Sequence, residues 1–284
     1  TANCCFPTGL IAYNCEPLFT KELLAYNGKY YLIGEEHKEY ISDKSLDEDF
    51  YVLTLAAIAK ELSTESITEA NIYIAAGLPL TWTSGQKADF SAYLMRNKEV
   101  SFTFHKQEYH LHIEGVSIYP QGYAAIAPYA SKLTGVNVIA DIGNGTMNLL
   151  YLTDSQPQES RCWTEKIGVN QCMIRAKEAV LRRFGSKISD STVEQILRTG
   201  TAKIDADYLA CIREVASGYV AELFAALRSY EYDPATTHLT IVGGGGQLVK
   251  HFGSYDPEQV TIVDDICAAA KGYEYMAYRQ MLRG

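Results

Sequence analysis

Six consecutive residues, Asp141-Ile142-Gly143-Asn144-Gly145-Thr146, bring together side chains that an ordinary turn does not require. Glycines let backbone N–H groups approach an anion closely, and a threonine hydroxyl adds one more donor. A carboxylate at the end of the apolar run Val138-Ile139-Ala140 would repel phosphate unless a cation stood between them. The combination points to a phosphate site with a Mg²⁺ ion that keeps several of its waters. A plain β-hairpin needs only Asn144-Gly145 between two apolar runs, the second from Met147 to Leu152. Taken alone, the stretch fits that simpler reading equally well.

Other residues could take part in the same chemistry. Gly243, Gly244, Gly245 and Gly246 follow the apolar run HLTIV and precede Gln247-Leu248-Val249. A strand, a glycine turn and a helix start form a place where backbone can meet a phosphate or a flat ligand. This is neither the spaced dinucleotide fingerprint nor a Walker lysine pattern. Gln121, in Pro120-Gln121-Gly122-Tyr123, offers a neutral amide that could orient a water attacking a γ-phosphate; a solvated glutamine fits the stretch as well. His110 and His112 share one face of a strand, but no third ligand is spaced to complete a metal site, so a surface strand is expected. Asp264-Asp265 reads as a cap for the last helix. The 21 tyrosines are scattered and suit packing and interfaces rather than a stacking platform.

The elements that must position these residues alternate in kind. Residues 18–34 read as a hairpin around Asn27-Gly28, 47–62 as a helix opened by Asp47, Glu48 and Asp49, 71–78 as a buried strand and 84–95 as a short helix. An antiparallel pair follows over 99–105 and 109–116, and Pro120 is expected to open a helix to about residue 131. After the 136–153 hairpin come a strand over 161–167, a helix over 169–184 and a helix opened by a capping box, Ser191-Thr192-Val193-Glu194. Residues 205–230 form a long amphipathic helix, 238–242 and 260–263 strands, and 266–282 the last helix. This is an α/β order with an antiparallel edge, not a doubly wound parallel sheet throughout.

With 284 residues, 47% hydrophobic and 21% charged, the chain suits one large or two medium globular domains. A net charge of −9 without a dense Lys/Arg cluster argues against direct binding of nucleic acid or an anionic membrane. No apolar run is long enough to span a membrane. The seven cysteines are odd in number and scattered, with no Cys-x-x-Cys, which favours reduced, mostly buried thiols in a cytoplasmic protein.

The order of these stretches carries a resemblance. A Gln at a helix start, then Asp-Ile-Gly-Asn-Gly-Thr in a hairpin, a strand-borne run of four glycines, and Ala270-Lys271-Gly272 in a last helix resemble the actin-like ATPase superfamily. They are similar to its first connecting helix, second phosphate loop, adenosine loop and second connecting helix. Within it the chain looks most like the ParM/StbA group of bacterial plasmid-segregation proteins. Phe6-Pro7-Thr8-Gly9, Gly77-Leu78-Pro79 and Pro120-Gln121-Gly122-Tyr123 are similar to that group's punctuation. The family opens with a glycine-rich first phosphate hairpin; Thr1-Ala2-Asn3 resembles the residues just after it, so that hairpin is expected to be missing from the chain.

The resemblance implies an α/β, actin-like (ribonuclease H-like) two-domain ATPase fold with a nucleotide cleft. Residues 1–135 plus 263–284 would form domain I and 136–262 domain II, with crossing helices as a hinge. It implies ATP or GTP hydrolysis with Mg²⁺ held by Asp141 through water. Gly143, Asn144, Gly145 and Thr146 would bind phosphates, and Gly243, Gly244, Gly245 and Gly246 would lie against the nucleoside. Glu194 would contact the ribose or base, and Gln121 would orient the water. Polymerisation into filaments would segregate plasmid DNA through a separate DNA-binding adaptor protein. The absent hairpin makes turnover an expectation for the full-length protein rather than for this chain. A small-molecule kinase of the same superfamily and a nucleotide-binding scaffold without turnover are the alternatives.

Overall fold

The computed structural model describes residues 4–35 and 48–283. Asp47 and Thr1-Ala2-Asn3 therefore lie outside the described residues. By packing, the chain forms two compact units, residues 1–78 with 82–119, and 79–81 with 120–284.

The first unit is a six-stranded sheet with helices. Its strands are β1 (Leu10–Tyr13), β2 (Leu23–Tyr26), β3 (Lys29–Ile33), β4 (Glu69–Leu78), β5 (Glu99–Phe104) and β6 (Gln107–Pro120), ordered β1-β3-β2-β5-β6-β4. Asn27 and Gly28 both have positive φ, the conformation that a two-residue hairpin needs. Period-two alternation puts Val100, Phe102 and Phe104 on one face of β5, and Tyr109, Leu111 and Ile113 on the same side of β6. Helix α1 (Asp49–Ser63) buries Val52, Leu55, Ala56 and Ala59 in this core, and α2 (Leu80–Leu94) adds Phe90 and Leu94. His110 is exposed and His112 half-exposed; His110 pairs with Ser101 Oγ at 2.9 Å and His112 with Glu99, as suits a surface strand.

The second unit has a five-stranded sheet ordered β11-β10-β7-β8-β9. Strands β7 (Val136–Ile142), β10 (His238–Val242) and β11 (Val260–Ile262) are parallel, while β8 (Met147–Thr153) and β9 (Gln156–Glu165) form the antiparallel edge. Both faces of this sheet are covered, which is why β7 and β8 are nearly continuous apolar runs rather than alternating ones. Val138, Ala140, Met147, Leu149 and Tyr151 face α4 (Val169–Phe184), α5 (Asp190–Thr199), α6 (Ala206–Ser229) and α7 (Gly245–Phe252). Ile139, Leu150, Leu152 and Val242 face a smaller core with Ala125, Ile126, Ala268 and Ala269, from α3 (Tyr123–Ile126) and α8 (Ala268–Met281). The division expected from sequence puts 120–135 and 263–284 with the first sheet; α3 and α8 pack on the second.

Several elements differ from expectation for identifiable reasons. The helix expected over 120–131 is one α-turn followed by a 3₁₀ turn, Ala130–Lys132. Pro120 ends β6, Gly122 is left-handed at φ 76°, and Pro128 lacks the N–H that a continuing helix would use. Strand β9 begins five residues early because Asp154 and Ser155, both at positive φ, make a tight turn out of a polar stretch. The cap of α5 is Ser189, whose Oγ accepts from Thr192 N, not Ser191. Asp264 and Asp265 do not act as a pair. Asp265 accepts from Cys267 N at the start of α8, whereas Asp264 bonds Lys250 and Gln247 of α7. Those partners hold both carboxyls below the usual carboxylate range, Asp264 through Lys250 and then Gln247, Asp265 through Lys271 and then the Cys267 N–H. Cysteines are less buried than expected: Cys172 and Cys211 are buried, but Cys4, Cys5 and Cys15 are exposed.

Candidate functional site

The parallel register of β7 and β10 places Asp141 opposite Val242, so Asp141 and Gly243 stand side by side at the carboxyl ends of neighbouring strands. That end of an open α/β sheet is where ligands characteristically bind. Contact there is close. A methyl group built on Gly243, which has φ 83°, would lie 2.8 Å from Asp141 Oδ1 and 2.7 Å from the Ile142 carbonyl oxygen. One built on Gly122 would lie 3.3 Å from Asp141 Cβ. Glycine at both positions lets the backbone close on the carboxylate. Gln121-Gly122 from the segment after β6, Asp141 from β7 and Gly243 after β10 thus meet at one point, although far apart in sequence.

The four glycines are not a flexible loop. Gly243 makes the turn, and Gly246 N donates to its carbonyl at 3.1 Å. Gly245 and Gly246 are buried in the first turn of α7, where a methyl on Gly245 would lie 2.2 Å from Ile142 Cγ2. Two of the glycines therefore serve helix–strand packing, and Gly243 and Gly244 form the surface beside Asp141.

The hairpin at 143–146 is built to present donors. Gly143 N donates to Thr146 O at 2.8 Å, so this N–H is spent closing the turn. The carbonyls point to the start of α4. Val169 N donates to Gly143 O at 3.1 Å, Asn170 N to Asn144 O at 2.9 Å, and Gln171 Nε2 to Gly145 O at 3.4 Å. In a planar trans peptide the N–H points opposite to the C=O. With three successive carbonyls turned toward α4, the N–H groups of Asn144, Gly145 and Thr146 are directed away from it. Successive amides turned to one side are the kind of donor set an anion could use, and the positive end of α4 behind them favours negative charge in front.

Two supports of this loop carry little sequence signal. A methyl on Gly168 would stand 2.3 Å from Asn144 O, so only glycine lets α4 reach the hairpin. Gly168 is held in turn by Gln171 Oε1, which accepts its N–H at 2.9 Å, and by Tyr219 Oη, which donates to its carbonyl at 2.8 Å. Tyr273 of α8 is a further residue that sequence alone does not single out. Burial pushes its hydroxyl far above the usual phenol range; the nearby Asp141 carboxylate adds to this, and a hydrogen bond from the Gln121 side chain pulls the other way. Glu194 stands on the exposed side of α5, whose Val193, Ile196 and Leu197 face the core. Helix α5 packs against α7.

Among the described residues no group of three His, Cys, Asp or Glu side chains could form an all-protein metal cage. The donors at this point of the fold are one half-buried carboxylate two residues before the hairpin and the hairpin's own amides. That set fits Mg²⁺, which keeps waters and uses one or two carboxylates plus substrate phosphates.

Residues 5–123 match the family described as actin like proteins N terminal domain. No curated protein matches the chain. Among solved structures, the actin-like protein Alp7A aligns with TM-score 0.75 and 14% identity over 98% of this chain and 91% of that one. Bacillus thuringiensis ParM with ATP aligns with TM-score 0.70 and 11% identity over 98% and 92%. An Alp12 filament structure aligns with TM-score 0.62 and 17% identity over 95% and 88%. The chain has the actin-like fold, in the form shared by ParM and Alp proteins.

Proposed function

We propose that this actin-like protein binds ATP or GTP with Mg²⁺ on its second unit, hydrolyses it, and assembles with copies of itself into filaments. The observation that carries this is the meeting of Asp141, Gln121-Gly122 and Gly243 beside a hairpin whose amides are turned outward by α4. The solved likenesses include a ParM with ATP and an Alp12 filament, which supports both halves of the reading. Asn144, Gly145 and Thr146 bind phosphate oxygens. Gly243 and Gly244 lie against the nucleoside, with Glu194 reaching the ribose or base from α5. Asp141 holds the waters of Mg²⁺, which when bound neutralises phosphate charge. Gln121 orients the attacking water. Filament growth moves DNA through a separate DNA-binding adaptor, in the cytoplasm, as in plasmid partition. Among the described residues no helix is long and apolar enough to cross a membrane.

The test is right-angle light scattering and phosphate release with Mg²⁺-ATP, Mg²⁺-GTP and neither. Scattering and phosphate release that appear only with a triphosphate support the proposal. Transfer of phosphate to a small acceptor without scattering would make the chain a kinase of the same fold. Nucleotide binding with neither would make it a scaffold.

A further inference from the structure

At the amino ends of β10 and β11, the end of the sheet opposite to Asp141, the second unit holds a cavity of about 690 Å³. That volume lies within the roughly 300–1,000 Å³ of small-molecule sites. Helix α6 supplies one wall by its periodicity: Val220, Phe224 and Arg228 recur every four residues and share a face. Phe252, at the end of α7, supplies another apolar wall. Gly253 lets the two helices meet closely there. A methyl on it would lie 3.2 Å from Val220 Cγ1 and 2.6 Å from the Val249 carbonyl oxygen.

Two polar side chains of this cavity stand without partners. Tyr232 is only 4% exposed, yet its hydroxyl has no hydrogen-bond partner among the described residues. A buried tyrosine hydroxyl usually finds one. The oxygen is not sealed in the core; it opens to the cavity that its residue lines. Arg228 is exposed, and its guanidinium forms no hydrogen bond or ion pair among the described residues. Asp256, the one carboxylate among the described lining residues, is already engaged: it accepts the Glu258 N–H at 2.9 Å.

We infer that this cavity binds a small amphipathic carboxylate, with its apolar body against Phe224 and Phe252 and its charged end on Arg228 and the Tyr232 hydroxyl. A guanidinium offers a carboxylate two parallel N–H bonds, and a phenol O–H adds a third donor. Burial first, and then the Asp233 carboxylate, push the Tyr232 hydroxyl above the usual phenol range, with Arg228 opposing, so it remains a donor near neutral pH. A neutral ligand would fill the apolar walls and leave the guanidinium unanswered. The site is separate from the one proposed for nucleotide and does not depend on it.

The probe is 2-naphthoate, with 2-naphthamide as its neutral counterpart, titrated into this chain without nucleotide by calorimetry and two-dimensional amide NMR. The expected result is one saturable site, with shifts centred on residues 217–232 and 252–260. Naphthamide should bind about tenfold more weakly or worse, as the loss of a charge-assisted hydrogen bond implies. Arg228→Gln removes a charge from an exposed position and Tyr232→Phe keeps the ring, so both should melt at the parent temperature. Each is expected to weaken 2-naphthoate by about tenfold. Absence of saturable shifts in these segments up to the solubility limit of the probe would overturn the inference. Parent-like affinity in Arg228→Gln or Tyr232→Phe, or equal binding of carboxylate and amide, would overturn it as well.

Discussion

Asp141 and Gln121 differ in how their roles can be read from single substitutions. Asp141 is half-buried, stands next to last in a buried strand and has its neighbours at Gly122 and Gly243 reduced to backbone. Asp141→Ala is expected to cut Mg²⁺-dependent phosphate release by about 10²-fold or more, because it removes the carboxylate proposed to hold the ion's waters. The change should leave the fold intact, since alanine fits a strand beside two glycines. Phosphate release at the parent rate would show that the ion is held elsewhere. Gln121→Ala is expected to leave nucleotide affinity unchanged and to lower the turnover number about 10²-fold, as removal of a transition-state contact does. Loss of affinity with turnover preserved would make Gln121 a binding residue instead. Both residues stand out in the sequence because each is a polar side chain at the edge of an apolar run with a glycine within two residues. Tyr273 does not stand out, being one of 21 tyrosines.

At the scale of elements, the hairpin depends on a helix that its own sequence does not mention. The carbonyls of Gly143 and Asn144 are held by the first N–H groups of α4, and Gly168 is where the two backbones touch. Gly168→Ala must push Asn144 away, turning the peptide units whose N–H groups are proposed to bind phosphate. The expected result, by calorimetric titration with Mg²⁺-ATP, is a loss of affinity of about tenfold, or about 1.4 kcal/mol, in a chain that still unfolds cooperatively. Unchanged affinity would mean that the loop holds its shape without α4. Strands with strong apolar runs, such as β7, β8 and β10, and amphipathic helices, such as α4 and α6, are legible from their periodicity. The 120–131 stretch is not, because its apolar residues follow a helical pattern that Gly122 and Pro128 interrupt. The start of β9 is hidden because Gln156 to Ser160 form a mostly polar and mostly exposed edge-strand stretch without an apolar alternation. The cradle itself could be suspected from Gly143, Asn144, Gly145 and Thr146, but Gly143's own N–H is consumed in the turn. Which amides face outward depends on long-range bonds that no local pattern records.

For the molecule as a whole, charge decides how copies meet. Each chain carries a net charge of −9, so like copies repel before any contact forms. Screening reaches about 30 Å at 0.01 M salt and about 10 Å at 0.1 M. At low ionic strength a growing filament must therefore bring strongly interacting negative bodies together; near physiological salt most of that repulsion is gone. Contacts made by apolar surface gain from salt, while contacts between opposite charges lose from it. If assembly rests on apolar and backbone contacts, the critical concentration with Mg²⁺-ATP should fall as NaCl rises from 0.01 to about 0.1 M, and pelleting should report it. The same charge opposes direct binding to the DNA backbone, whose affinity for a protein comes from released counterions. Fluorescence anisotropy with a labelled duplex should show no binding and no salt slope by this chain, which is why an adaptor is part of the proposed function. A critical concentration that instead rises steeply with salt would mean that opposite charges on the two meeting surfaces hold the filament, and that the net charge is a poor guide to where copies touch.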